Sequence, residues 1–465
     1  MKLPVRDLLG IPWIHVHKPE MLNRLAITGI STDSRTIRQG DIFLAIRGEK
    51  YDGHEFVGSA HKQGAVCAIV DRRYDCASSK IPLLVVENTV RALGQLANHY
   101  RRKFNIPVIA ITGSSGKTTT KEMVKNVLAT RYSVLGTEGN RNNHVGVPLT
   151  LFRLRRNHEI AVIEMGMNHE HEIANLCAIA QPTHGLITNI GKAHLGFFHS
   201  LDDIAHAKGE LFDWLANDSS RLGFVNADDL LVRGLARKLK RKMTYGLNAR
   251  QAHVRGTILN IDERGRPEFS FSQVHSKRRV VVQSRAAGIQ NAYNGLAAAT
   301  VGLHFGIPGR TIKMAIEKSR PIQNRMQIFA VAGVTILNDS YNANPDSVEL
   351  ALNTLHSMKC RGKRVVILGD MLELGDHSQK EHETVGRLIN RLGFGHLLTF
   401  GPMARLVTEK ARCAINVHFD RKTALSNYAA RLVSPGDIVL VKGSRGMKME
   451  NVVAFLQEQL GRNAS

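Results

Sequence analysis

Gly113-Ser114-Ser115-Gly116-Lys117-Thr118 is a run of residue types suited to holding a phosphate. It follows the apolar stretch Val108 to Ile111. It precedes a segment that carries Met123, Val124, Val127 and Leu128 at helical spacing. A glycine-rich turn from a strand into a helix aims backbone N–H groups at one point, and the positive end of the helix dipole adds to them. The backbone of Gly113, Ser114, Ser115 and Gly116 is expected to wrap phosphates. Lys117 is expected to offset the charge of the β and γ groups, and Thr118 to reach a Mg²⁺. Thr119 and Thr120 add hydroxyls in the first turn, where N–H groups lack partners within the helix. The common spacing G-x-x-x-x-G-K-[ST] asks for glycine where this chain has Ile111, so the loop is a shortened form of it.

Other side chains have chemical uses at their positions. Glu164 closes the apolar run "AVIEMG", where a carboxylate either holds Mg²⁺ or is an ordinary turn residue. His194 follows another buried-looking strand. Lys208 falls inside the apolar stripe of Leu201, Ile204, Leu211, Phe212 and Leu215. Lysine is rarely buried without a partner. Lys208 therefore either snorkels to the surface or has a lowered pKa and serves covalent chemistry or an anion. Asn344 can cap a helix that starts at Pro345, which leaves Asp339, Tyr341 and Asn342 in a strand-to-helix loop.

The elements that must position these residues alternate between strands and helices. Short strands such as "GDIFLAIRG", "GAVCAIV" and "IPLLVVEN" occupy residues 1–86. A helix over "TVRALGQLANHYRRKF" opens a central region, 87–319, with "IAVIEMG", "HGLITNIG" and "RLGFVNA" as further strands. Residues 320–465 alternate "RVVILGD", "HLLTFG" and "GDIVLVKG" with helices. The expectation is an α/β protein of three domains: a small N-terminal α/β domain, a central mostly parallel sheet that carries the phosphate loop, and a C-terminal open α/β sheet of Rossmann-like form. Ligands in such sheets sit beyond the carboxyl ends of strands.

Composition narrows the class. At 465 residues, 43% apolar and 22% charged, the chain reads as an ordinary globular protein of several domains. It has no apolar run long enough for a membrane span, and no secretory h-region near Met1. Five dispersed cysteines point to a reducing cytoplasm rather than a disulfide frame. The net charge of +23 fits either a nucleic-acid binder or a field that draws in an anionic substrate. The second reading is preferred, because no nucleic-acid module or aromatic stacking motif accompanies the charge.

In order along the chain stand "STDSRTIRQGDIFLAIRGEKYDGHEF", "TGSSGKTTTKEM", "GNRNNHVGVPLTLF", "IEMGMNHEHEI", "TNIGKAHLGFF", "IAHAKGELF", "NDSYNANPDSV", "LGDMLELG" and "VKGSRGMKMENVV". Taken together they resemble the ATP-dependent Mur ligases of bacterial cell-wall synthesis, over essentially the whole chain. The likeness is to the members that add a dipeptide. An Asp-Asn-Pro-Arg motif, often seen in the member that adds the third residue, is absent, and "MLELG" stands in its place.

The resemblance implies an enzyme that joins D-alanyl-D-alanine to UDP-N-acetylmuramoyl-tripeptide through an acyl phosphate, with ATP and Mg²⁺. It implies a cytoplasmic monomer serving peptidoglycan synthesis, and through it cell shape and division. Ser31, Asp33, Ser34 and Arg35 then belong to the uridine-nucleotide site, and Asn142 and Asn143 to the muramoyl substrate. Thr118, Glu164 and His194 match magnesium ligands. Lys208 matches a lysine that becomes carbamylated, which turns a costly cation into an anion able to bind Mg²⁺. Lys117, Lys208 and His194 form the catalytic set. Asn291 and Arg325 match nucleotide contacts, and Asp339, Tyr341 and Asn342 the C-terminal side of the ATP site. Lys442, Ser444 and Arg445 are expected to meet ligand on closure. Two positions depart from the family pattern: Gln290 stands where a His often precedes the Asn, and Asn324 where a Gly often precedes the Arg. The competing identities are a Mur ligase that adds a different residue, a folylpolyglutamate synthase-like ligase, and a nucleotide-dependent nucleic-acid binder.

Overall fold

The strand Val108–Thr112 is wholly buried, as its unbroken apolar sequence requires of a strand covered on both faces. It lies within the middle one of three sheets in a computed structural model that describes residues 13–22, 25, 27–48, 51–77, 79–193, 195–276 and 278–462. In spatial order the nine strands of this sheet are Val280–Gln283, Pro267–Gln273, Val254–Ile261, Lys242–Gly246, Leu222–Asn226, His184–Ile187, Val108–Thr112, Ile160–Glu164 and Val134–Gly136. The five-stranded N-terminal sheet runs His15–His17, Leu83–Val86, Cys67–Asp71, Asp41–Leu44, Gly29–Ser31, parallel except for its first strand. The fold is therefore α/β with three mostly parallel sheets, as the alternating pattern implies.

The six-stranded C-terminal sheet runs Gln327–Val331, Val334–Asp339, Ile438–Lys442, Arg364–Gly369, His396–Phe400, Ile415–Phe419. Only Gln327–Val331 is antiparallel to its neighbour. Ile336, Ile367, Val439 and Val441 form its core with Val452 and Leu456 of the helix Glu450–Arg462. The register sets Asp339 beside Lys442 at the carboxyl ends of two adjacent strands.

Several helices matter for the site. Lys117–Leu128 continues from the glycine-rich loop. Gln290–His304 packs on it, and Gly302 lets the two approach: a methyl group there would press on Val127 and Ile312. Pro345–Ser357 starts where Asn344 accepts from the Ser347 N–H and Ser347 reciprocates, with proline at the first helical position.

By backbone contacts the chain divides into two compact units. One comprises residues 1–110, 132–167 and 171–184, and the other 111–131, 168–170 and 185–465.

The antiparallel strands Val254–Ile261, Pro267–Gln273 and Val280–Gln283 are not among the elements read from the sequence. The first of them is mostly exposed, so it lacks an apolar run to announce it. The hairpin between Val331 and Val334 turns on Ala332 and Gly333, both with positive φ, and carries no Asn-Gly signal.

Candidate nucleotide and ligase site

The phosphate loop takes its shape from the segment that follows the strand His184–Ile187. Ser114 N–H donates to the Asn189 carbonyl at 3.0 Å, and Ser115 N–H to the Asn189 side chain at 3.0 Å. The Ser114 hydroxyl donates to the Gly191 carbonyl at 2.9 Å, and Gly191 N–H returns a bond to that hydroxyl at 2.8 Å. The Thr188 hydroxyl donates to the Ser115 carbonyl at 2.6 Å. Two of the loop's N–H groups are thus committed to this segment rather than aimed at a guest. Gly113 has φ +143, and a side chain there would collide with the Thr188 hydroxyl. Gly116, φ +77, caps the helix Lys117–Leu128 and faces the Asn294 amide. Lys117 curls back over the loop, its Nζ donating to the Gly113 carbonyl at 2.6 Å.

Lys208 sits in the helix Leu201–Ala216, which begins where the Ser200 side chain accepts from Asp203 N–H. The snorkelling alternative fails, because the residue is 1% exposed. Burial, and secondarily the charge of Lys117, push its pKa well below the ordinary lysine value. Leu201, placed in the buried stripe from the sequence, is 37% exposed at the start of the helix.

Asn291 lies in the first turn of the helix Gln290–His304 and is buried. Its amide donates to the Ala287 carbonyl at 2.6 Å, and its carbonyl oxygen faces the Asn294 amide at 3.4 Å. Asn294 in turn accepts from the Thr120 hydroxyl at 3.0 Å. Thr120 therefore ties two helices together instead of serving the open N–H groups of its own first turn. Thr119, one residue earlier, is half-buried. Asn294, which the sequence reading missed, lies one helical turn from Asn291. Gln290 opens the same helix, with its Oε1 buried and without a hydrogen-bond partner among the described residues.

From the bend just before the strand Gln327–Val331, Arg325 donates to the Thr118 hydroxyl at 3.2 Å and lies 3.9 Å over the Tyr341 ring. Its Nε is buried with no hydrogen-bond partner among the described residues. Asn324 adopts φ +62, a left-handed conformation open to glycine and tolerated by asparagine. Asp339 ends its strand rather than lying in the loop. It accepts from Met326 N–H at 3.1 Å and pairs with the buried Lys442. Lys442 also donates to the Asn342 carbonyl at 2.9 Å, and the Ser444 hydroxyl to the Ala343 carbonyl at 3.1 Å. Both side chains are spent on shaping the 339–343 loop. Arg445 bonds Asn342 through its N–H at 3.3 Å and Glu450 through its guanidinium at 3.2 Å.

In the other unit, Glu164 is buried at the end of its strand. Its Oε1 accepts from the Asn142 amide at 2.9 Å. The Asn143 side-chain oxygen accepts from Gly146 N–H at 2.9 Å and shapes the turn into the helix Gly146–Leu151. Ser31 and Thr36 hydroxyls meet at 3.2 Å around the short helical turn Ser34–Thr36. Asp33 accepts from the Arg35 N–H and from two guanidinium nitrogens. These bonds, the guanidinium ones first, bring its carboxyl down to about 2. His194 lies outside the described residues.

Among the described residues no three His, Cys, Asp or Glu side chains gather as a metal site. A magnesium ion here would draw on a hydroxyl, phosphate oxygens and water as well as a carboxylate, which suits a cation that keeps several waters. Arg325, with its buried Nε and its place against Thr118, fits an anionic guest.

Comparison with known proteins agrees with this geometry. Three family models match: "Mur ligase family, catalytic domain" over residues 26–109, "Mur ligase middle domain" over 111–302, and "Mur ligase, glutamate ligase domain" over 324–445. The UDP-N-acetylmuramoyl-tripeptide--D-alanyl-D-alanine ligase of Bacillus subtilis is 33% identical over 93% of each chain. That of Escherichia coli is 34% identical over 93% of this chain and 94% of its own. The crystal structure of MurF from Acinetobacter baumannii superposes with a TM-score of 0.89 at 32% identity, covering 98% of this chain and 99% of that one. MurF from Thermotoga maritima in complex with ADP gives 0.84 at 28% identity, covering 94% and 98%. The chain belongs to the Mur ligase family.

Proposed function

We propose that this chain is an ATP-dependent ligase that joins D-alanyl-D-alanine to UDP-N-acetylmuramoyl-tripeptide in peptidoglycan precursor synthesis. The observation that carries this reading is likeness along nearly the full length, 93% of the chain, to ligases of that name from Bacillus subtilis and Escherichia coli. The geometry supports it: Arg325, just before the first strand of the C-terminal sheet, stands on Thr118 of the phosphate loop.

A carboxylate is a poor electrophile, so amide formation needs activation. The γ-phosphoryl group of ATP passes to the terminal carboxylate of the tripeptide, and the amine of the dipeptide displaces phosphate. Lys117 and Arg325 offset phosphate charge, with Gly113, Ser114, Ser115, Gly116, Thr118 and Thr119 around the nucleotide. Asn291, Asp339, Tyr341 and Asn342 complete its surroundings. Thr118, Glu164, His194 and a carbamylated Lys208 are the residues that would hold Mg²⁺, which supplies charge neutralisation at the phosphates. The neutral amine favoured by Lys208's burial is the form that reacts with CO₂. Ser31, Asp33, Ser34 and Arg35 take the uridine nucleotide, and Asn142 and Asn143 the muramoyl portion.

We assign residues 1–86 to the UDP-substrate domain, 87–319 to the ATP domain and 320–465 to the ligase domain. The enzyme works as a cytoplasmic monomer. All five cysteines are free thiols, which fits a reducing compartment, and among the described residues no helix is long and apolar enough to cross a membrane. The test is phosphate release from ATP measured with D-alanyl-D-alanine and with tripeptides ending in lysine or diaminopimelate. Release that needs both substrates supports the reading, and release that responds instead to DNA or RNA overturns it.

A further inference from the structure

The segment 188–192 that shapes the phosphate loop also grips the C-terminal sheet's helices. Beyond Asn189 and Gly191, which bind Ser114 and Ser115, Lys192 N–H donates to the Asp346 carboxylate at 2.7 Å. Lys192 Nζ lies 2.8 and 3.2 Å from the two oxygens of Glu381. Gly191 is glycine because any side chain would collide with Asp346. Four residues on, Gly196 N–H donates to the Glu373 carbonyl at 2.8 Å. The other side of the segment is pinned as well: Ile190 N–H donates to Asp229 at 2.9 Å, and the Asn226 amide to the Thr188 carbonyl at 3.0 Å. Asp346 lies in the first turn of Pro345–Ser357, just after the loop that carries Tyr341 and Asn342. One short segment therefore touches both the phosphate loop and the body that brings Arg325.

Glu381 is 5% exposed. A buried carboxylate without its cation is costly, whereas the same group is hydrated once the contact opens. Removing Lys192 therefore penalises the docked arrangement and spares the open one.

We propose that Lys192, with Asp346 and Glu381, is a positioning clasp that registers the C-terminal part on the phosphate loop during amide formation. This rests on the ligase reading above. In the aligned state the dipeptide nitrogen forms the C–N bond, the acyl C–O bond breaks, phosphate leaves with the electron pair, and the amine proton passes to solvent. When alignment is loose, water takes the place of the amine, giving phosphate and the original carboxylate.

The experiment compares full-length wild type, Lys192→Met, Lys192→Arg and Glu381→Gln for the ratio of phosphate released to amide formed, for kcat and KM toward D-alanyl-D-alanine, and for ADP affinity. The clasp predicts about a tenfold fall in kcat/KM for the dipeptide with Lys192→Met, since small misplacements of reacting groups are expensive. It predicts excess phosphate over amide, a weaker effect on ADP affinity than on kcat/KM for the dipeptide because the direct loop contacts of Asn189 and Gly191 remain, and recovery in Lys192→Arg. Glu381→Gln gives the same uncoupling with the lysine kept, and serves if Lys192→Met does not fold. A ratio and kcat/KM unchanged in both variants overturn the clasp while leaving the ligase reading standing. A wild type that makes no amide overturns the ligase reading, and the clasp with it.

Discussion

The Arg325 guanidinium donates to the Thr118 hydroxyl at 3.2 Å, joining residues 207 apart in sequence. The same guanidinium carbon lies 3.9 Å from the centre of the Tyr341 ring, so the cation is held between a ring and the phosphate loop. Lysine cannot reproduce both contacts. Arg325→Lys is expected to raise KM for ATP by about tenfold, the effect of one charge-assisted contact. Affinity for the UDP-linked substrate should stay near wild type. Steady-state kinetics with each substrate varied in turn checks this, and equal effects on both substrates would refute a local nucleotide role.

Asn294 bridges the Thr120 hydroxyl and the Asn291 side chain in a buried hydrogen-bonded chain. Asn294→Ala leaves both groups without that partner and is expected to cost about 1–3 kcal/mol of stability. Urea unfolding measures the loss. A midpoint equal to wild type would show that this bridge contributes nothing.

Lys208 is a buried amine with a lowered pKa, set first by burial and then by Lys117. The unfolded chain keeps this proton up to about its ordinary value of 10.5, so the buried amine disfavours folding at neutral pH and the penalty fades as pH rises toward that value. In bicarbonate-free buffer Lys208→Met is expected to melt about 2–4 °C higher than wild type while losing ligation. With ¹³C-bicarbonate, wild type should show a carbamate carbon signal that the variant lacks. Active enzyme with magnesium and an unmodified amine at Lys208 would remove the carbamate from the account.

Burial raises the pKa of Asp346, Glu381 adds to the shift, and the Lys192 N–H opposes it. Its contribution to stability is therefore fully present below the ordinary value of 3.8 and is lost as pH rises through the folded-state pKa. Asp346→Asn keeps an acceptor for Lys192 N–H and removes this titration. The variant's stability should change less with pH above 3.8 than wild type's, by urea midpoints across that range. Parallel profiles would show that Asp346 titrates normally.

Much of this was legible in the sequence because the inner strands of the central and C-terminal sheets, among them Val108–Thr112, Ile160–Glu164 and Arg364–Gly369, are buried on both faces. "VIAIT", "IAVIE" and "VVILG" read as strands since nothing polar interrupts them. The capped start at Asn344 and Pro345 was equally local. What stayed hidden depends on distant contacts. Nothing near Asn189 announces that it shapes a loop 74 residues away, and Asn294 looks like any polar residue on a helix. Lys442 and Ser444, expected from the resemblance to meet ligand on closure, here bond a neighbouring strand end and loop, partners that no local pattern announces. The strand Val254–Ile261 escaped because its exposed face leaves too few apolar residues for a signal.

The central claim is that the loop at Lys117 directs a phosphoryl group to a carboxylate for capture by D-alanyl-D-alanine. The most direct measurement is amide product formed from ATP, UDP-N-acetylmuramoyl-tripeptide and D-alanyl-D-alanine, in wild type and in Lys117→Ala. The account predicts amide and phosphate in equal amounts with wild type, and a rate lower by about a thousandfold in the variant, in the range seen when one preorganised charge is removed from a developing anion. Ligation at near-normal rate by Lys117→Ala, or no amide from wild type with either tripeptide, would contradict it.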